Sequence, residues 1–133
     1  MSRGAALFEL SIKGDFSSAH FLRGYDGPCK DLHGHTWKVE IVIRSPRLDK
    51  IGLVVDFRMI KRRLKDFLMH IDHVNLNELA YFKKVNPSTE NLAKYIYKEF
   101  GRQVKPLKIK SVIVWESEVA SVKYFEGQGS GGK

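Results

Sequence analysis

The chain has 133 residues, 43% of them apolar, with a formal charge of +8 and one cysteine. That length favours one domain around one core. No run of about 18 apolar residues exists, which excludes a helical membrane span, and a lone cysteine excludes an internal disulfide, so a reducing cytoplasm is the natural compartment. The positive surface attracts anions, whether nucleic acid, acidic lipid or a phosphorylated small molecule, and charge alone does not choose among them.

The N-terminal "MSRGAALFELSIKG" has only a short apolar run broken by Glu9, too weak for a secretory signal. In "FELSIKGDF", Phe8, Leu10 and Ile12 alternate with Glu9, Ser11 and Lys13, which predicts a half-buried strand. "TWKVEIVIR" repeats the pattern with Trp37, Val39, Ile41 and Ile43. From Phe57 to Ile71 the period becomes helical: Phe57, Ile60, Leu64, Phe67 and Ile71 lie opposite Lys61, Arg62, Arg63 and Lys65. Asp56 is placed to cap that helix. Its basic run carries no interleaved aromatic residues and fits a solvated helix face better than a nucleic-acid site. Asn86-Pro87 predicts the next helix start. Leu92, Ile96 and Phe100 continue that helix, and Gly101 ends it. "LKIKSVIVWE" and "VASVKYF" predict two further strands joined by a short turn. The order ββααββ implies an α+β fold, an antiparallel four-stranded sheet with two helices on one face. Residues 1–126 form the expected domain, and the Gly/Ser-rich segment 127–133 is expected to be a disordered tail.

The chemistry concentrates in "CKDLHGHTW", Cys29 to Trp37. Residues i and i+2 of a strand point to one side, about 6.6 Å apart, so His33 and His35 can converge on one ion. Gly34 leaves the opposite face clear for a backbone or ligand. His20 follows the first strand and reaches the other two if the first two strands pair. Three imidazoles suit zinc and leave a fourth position open, which favours catalysis over structure. The competing account is a partly buried structural His20 beside an ordinary strand entry. Cys29 is either a fourth ligand, which closes the site, or a separate thiolate beside the ion. Spacing does not separate these two, and the Gly27-Pro28 turn before it disfavours inert packing.

Together "FSSAHFL", "GPCKDLHGHTW", "GLVVDF", "IDHVNLN", "NPSTENLAKYI" and "VIVWES" resemble the 6-pyruvoyltetrahydropterin synthase family, in order, over residues 7 to 125. The wording of "CKDLHGH" is most similar to the bacterial carboxy-forming members of the queuosine and deazapurine pathway. The resemblance implies the tunnelling fold, with His20, His33 and His35 as zinc ligands and Cys29 as the catalytic thiol. It implies that Asp72 and His73 assist proton transfer, and that Glu116 anchors the pterin ring. Ser88, Thr89, Glu90 and Asn91 would line the pterin pocket. Ser117 departs from the threonine common after that glutamate but keeps the hydroxyl. The implied substrate is 7,8-dihydroneopterin triphosphate, with Zn2+ as cofactor and neither nucleic acid nor membrane as partner. The implied assembly is a homohexamer of two trimers with active sites at subunit interfaces. A pyruvoyl-forming enzyme is the alternative within the family, and a basic zinc-containing nucleic-acid-binding module the alternative outside it. Arg23, Lys30 and Lys38 lie near the motif in sequence, with no phosphate role assigned among them.

Overall fold

The computed structural model describes residues 7–27 and 30–127. Two long strands, β1 (Phe8–His20) and β2 (His33–Ser45), pair antiparallel without interruption from Phe8↔Ser45 to His20↔His33. Helix α1 (Phe57–Leu68) follows, then single 3-10 turns at Met69–Ile71 and Leu76–Glu78, then a short α2 (Ala80–Lys84) and α3 (Thr89–Gln103). Strands β3 (Lys108–Ser117) and β4 (Ala120–Tyr124) complete an antiparallel sheet of order β1-β2-β3-β4. No helix among the described residues is long and apolar enough to cross a membrane.

The strand alternation is realised on the helix-covered face. Ile12, Phe16, Trp37, Val39, Ile41, Ile43, Val112 and Val114 are buried there. The stripes Ile60, Leu64 and Phe67 of α1 and Leu92, Ile96 and Phe100 of α3 close over them. Helix α1 packs on β1, and α3 on β3 and β4. Gly14 is the point of closest approach under α1: a Cβ there would lie 2.9 Å from Leu68 Cδ1 and 3.3 Å from Leu64 Cδ2.

Asp56 caps α1 as expected, its Oδ1 accepting the Arg58 N–H at 2.8 Å. Other details differ from the sequence expectation. Phe57 is exposed, since it precedes the first turn of the buried stripe, and Phe8 lies exposed at the strand's outer end. Ile71 reaches the core from the 3-10 turn, beyond the α-helix. The cap of α3 is Ser88, whose Oγ accepts the Asn91 N–H at 3.1 Å. Asn86 is not the cap, because the proline after it disfavours helical geometry. Helix α3 runs through Gly101 to Gln103, because Val104 behind it is also buried and its N–H closes on the Phe100 carbonyl at 3.1 Å. Five-residue α2 inserts the fully buried Phe82 into the core, too brief a signal for periodicity to register.

Candidate active site

The β1/β2 register places His20 directly opposite His33, and His35 opposite Ser18, all on the face that Trp37 continues into the core. The three rings stand edge to face, with centroids 4.6, 5.2 and 4.8 Å apart for His20–His33, His20–His35 and His33–His35. One ligating nitrogen from each lies within 4.8 Å of the others, and His20 Nε2 is 3.1 Å from His33 Nε2.

The backbone selects the tautomers. His20 Nδ1 lies 2.7 Å from the Pro87 carbonyl, and His33 Nδ1 lies 2.7 Å from the Asp31 carbonyl. A carbonyl only accepts, so each Nδ1 carries the proton and each Nε2 presents a lone pair inward. Among the described residues, His35 Nε2 is buried without a hydrogen-bond partner. It approaches Glu116 Oε2 to 3.1 Å, but outside hydrogen-bond geometry. An orphaned buried nitrogen beside two inward lone pairs is the arrangement a cation completes. Burial lowers the pKa of His20 below the usual imidazole value, against the opposing Pro87 bond, and likewise that of His35 against the opposing charge of Glu116. Both effects favour the neutral, ligating form.

Glu116 lies near the end of β3. Its Oε1 accepts from Thr89 Oγ1 at 2.8 Å, which ties the strand to the first turn of α3 beside His35. Thr89 is thus at the site and buried. Ser88 is engaged as the helix cap, and Asn91 Nδ2 donates to the Asn86 carbonyl at 2.9 Å. Glu90 is exposed in the first helical turn. Ser117 is exposed, its Oγ accepting the Val119 N–H at 3.2 Å.

Asp72 and His73 pair at 2.9 Å between Oδ2 and Nδ1. The segment holding them lies along the free edge of β1. Ser17 N–H donates to Asp72 Oδ1 at 2.8 Å, and Ala19 N–H to the Val74 carbonyl at 2.9 Å. The Ser17 N–H, then His73, holds the Asp72 carboxyl below its usual range. His73 has φ +58, a left-handed conformation uncommon outside glycine, and its ring is 80% exposed. The pair is not within the histidine cluster. Of the two, His73 borders an open hollow of about 620 Å³ whose walls also include Ser17, Gly34, His35 and Thr36. Cys29 lies outside the described residues; on either side of it, Lys30 N–H donates to the Gly27 carbonyl at 3.1 Å.

One contributor to the site was not apparent in the sequence: the Pro87 carbonyl, which accepts from His20 Nδ1. Arg23, to which the sequence assigned no role, acquires one in the fold. Its guanidinium donates to the carbonyls of Phe82 and Val85 at 2.6 and 2.9 Å, which makes it a structural brace.

The family model for 6-pyruvoyl tetrahydropterin synthase matches residues 9–127. The 6-carboxy-5,6,7,8-tetrahydropterin synthase of Bacillus subtilis (strain 168) is 34% identical over 114 residues, 80% of this chain and 75% of its own length. The dihydroneopterin monophosphate aldolase of Pyrococcus furiosus is 30% identical over 112 residues, 84% of this chain and 91% of its own. The structure of Caenorhabditis elegans 6-pyruvoyl tetrahydropterin synthase superposes with a TM-score of 0.81 at 22% identity, over 92% of this chain and 97% of that one, which shows the shared fold. By its sequence match and its three-histidine fold, this chain belongs to the 6-pyruvoyl tetrahydropterin synthase family.

Proposed function

We propose that this chain is a zinc-dependent lyase, a 6-carboxy-5,6,7,8-tetrahydropterin synthase acting on 7,8-dihydroneopterin triphosphate. The observation that carries it is the convergence of His20, His33 and His35 beside Glu116 in a chain of this family. Imidazole nitrogens about 2.0–2.1 Å from one tetrahedral zinc lie about 3.3 Å apart, close to the 3.1 Å between His20 and His33. A zinc ion held by the three would supply Lewis acidity toward the hydroxyls of the substrate side chain.

The remaining chemistry falls to the chain's own groups. Glu116 accepts two hydrogen bonds from the 2-amino group and ring N–H of the pterin, the bidentate geometry a carboxylate offers arginine. Thr89 orients that carboxylate from below. Cys29, as thiolate, takes a proton from the side-chain carbon next to a hydroxyl. His73, held by Asp72, moves a second proton at Nε2, its Nδ1 being occupied by the carboxylate. Triphosphate leaves, the chain +8 surface favouring a polyanion. Water adds at the side-chain carbon borne by the ring and the bond to the next carbon breaks, which gives the 6-carboxy product for queuosine and deazapurine synthesis in the cytoplasm and releases the other two carbons as acetaldehyde.

The working form is a homo-oligomer, a hexamer of two trimers with sites at subunit interfaces. The support is the sheet edges at β4 and at the part of β1 before Ser17, and the exposed His73 that one chain leaves uncovered.

The test is incubation with dihydroneopterin triphosphate, mass analysis of the pterin and trapping of the volatile product. Acetaldehyde with a 6-carboxy pterin supports the assignment. A pterin retaining three side-chain carbons makes the chain a pyruvoyl-forming enzyme instead. Turnover of the monophosphate in preference moves it to the activity named for the Pyrococcus furiosus relative. No pterin turnover, with salt-sensitive binding to nucleic acid, overturns all three.

A further inference from the structure

We propose that Asn77 and Asn86 are positioning residues of the metal centre, two side-chain clamps that hold the chain leaving His20 and the carbonyl that orients its ring. This rests on the metal centre proposed above.

The observation is a repeated geometry. Asn77 Oδ1 accepts the Phe21 N–H at 2.9 Å while its Nδ2 donates to the Phe21 carbonyl at 3.0 Å. Asn86 does the same to Arg23, with Oδ1 accepting the N–H and Nδ2 donating to the carbonyl, both at 2.9 Å. A backbone N–H only donates and a carbonyl only accepts, so both amide orientations follow from the chemistry. Each carboxamide therefore stands in for the peptide of a neighbouring strand, which exchanges two hydrogen bonds with one residue. The positions continue a series. Ser17 and Ala19 already bond the 72–75 segment along the same edge of β1. Phe21 and Arg23 follow at the same two-residue interval, and side chains take over where that segment turns away.

The clamps matter to the metal because of what lies next to them. His20 is the last residue of β1, and Asn77 grips the residue after it. Asn86 precedes Pro87, whose carbonyl accepts from His20 Nδ1. Asn86 is itself anchored at its own carbonyl by Asn91 Nδ2, and Arg23 adds bonds to Phe82 and Val85. The acceptor that sets the His20 tautomer is thus fixed to the strand exit through Asn86. Loss of the partner orienting a ligating imidazole lowers metal affinity about 10–100-fold.

The experiment measures the zinc dissociation constant by competition with a chromophoric chelator, for the wild-type full chain, Asn86→Ala, Asn86→Asp and Asn77→Ala. Melting of each metal-free protein is recorded alongside, with visible spectra of the cobalt-loaded forms. Expected are zinc binding weakened in Asn86→Ala by up to about 10-fold, the low end for losing the orienting partner itself, altered cobalt bands, and a smaller loss in Asn86→Asp, which keeps the acceptor and loses the donor. Asn77 is buried, so Asn77→Ala is read only if it folds; the variants of half-buried Asn86 decide the matter without it. Lower melting with zinc affinity and cobalt spectra unchanged makes both asparagines structural only and overturns the inference. A wild-type chain that binds no stoichiometric zinc overturns the metal centre itself, and this inference with it.

Discussion

Thr89 Oγ1 donates to Glu116 Oε1 at 2.8 Å, so the first turn of α3 aims a carboxylate that β3 delivers beside His35. The other carboxylate oxygen faces the histidine cluster. The pair joins the pterin end of the proposed site to its metal end through one side chain.

Glu116→Gln is therefore expected to weaken substrate binding while fold and zinc content persist. The amide presents a donor where the pterin also presents one. Loss of one partner of a buried charged hydrogen-bonded pair costs about 2–5 kcal/mol, read as a fall in kcat/KM. Steady-state kinetics beside metal analysis checks it; unchanged KM and kcat reduce Glu116 to a strand-end residue.

Purified protein is expected to carry one zinc per chain, by elemental analysis. His33→Ala combined with His35→Ala removes two of three converging nitrogens and should abolish it. Full occupancy in that double variant would place the metal elsewhere.

Cys29→Ala is expected to keep its zinc and lose most turnover, since three imidazole nitrogens already converge and suffice for an open zinc centre. Metal loss in this variant would instead mean a closed structural centre with Cys29 as fourth ligand.

Asp72 makes a pH-dependent contribution. Its carboxyl is held below the usual range by the Ser17 N–H and then by His73. A depressed folded pKa stabilises the fold above the unfolded value, about 3.9, and that contribution is lost as pH falls through the folded value. The melting gap between wild type and Asp72→Asn should be full near neutrality and close in acid. A third of the Asp72 side chain is exposed, so the gap should be small. A gap that persists at the acid end would assign the effect to packing.

Gly14→Val should destabilise the fold by about 1–3 kcal/mol through overpacking, because Leu68 Cδ1 and Leu64 Cδ2 already occupy the space a side chain would enter. Chemical denaturation measures it. Wild-type stability would show that α1 shifts freely over β1.

The local periods in the chain already determine a good part of this protein. His33 and His35 share a face because a strand repeats every two residues. Ile60, Leu64 and Phe67 form a stripe because a helix repeats near 3.6, and Asp56 caps because its oxygen reaches the N–H two residues on. Each depends on neighbours a few positions away. The tertiary structure decided the rest. Whether His20 meets His33 depends on a register held over thirteen residues of β1 and β2. Thr89 meets Glu116 only once α3 lies over β3, and Pro87 meets His20 across 67 positions. Asn86 resembles a helix cap in sequence and becomes a clamp on Arg23 because the proline after it holds it outside the helix and the fold brings that strand exit within reach. Hydrogen bonds between segments so far apart are set by how helices and strands pack, and no short-range periodicity encodes that.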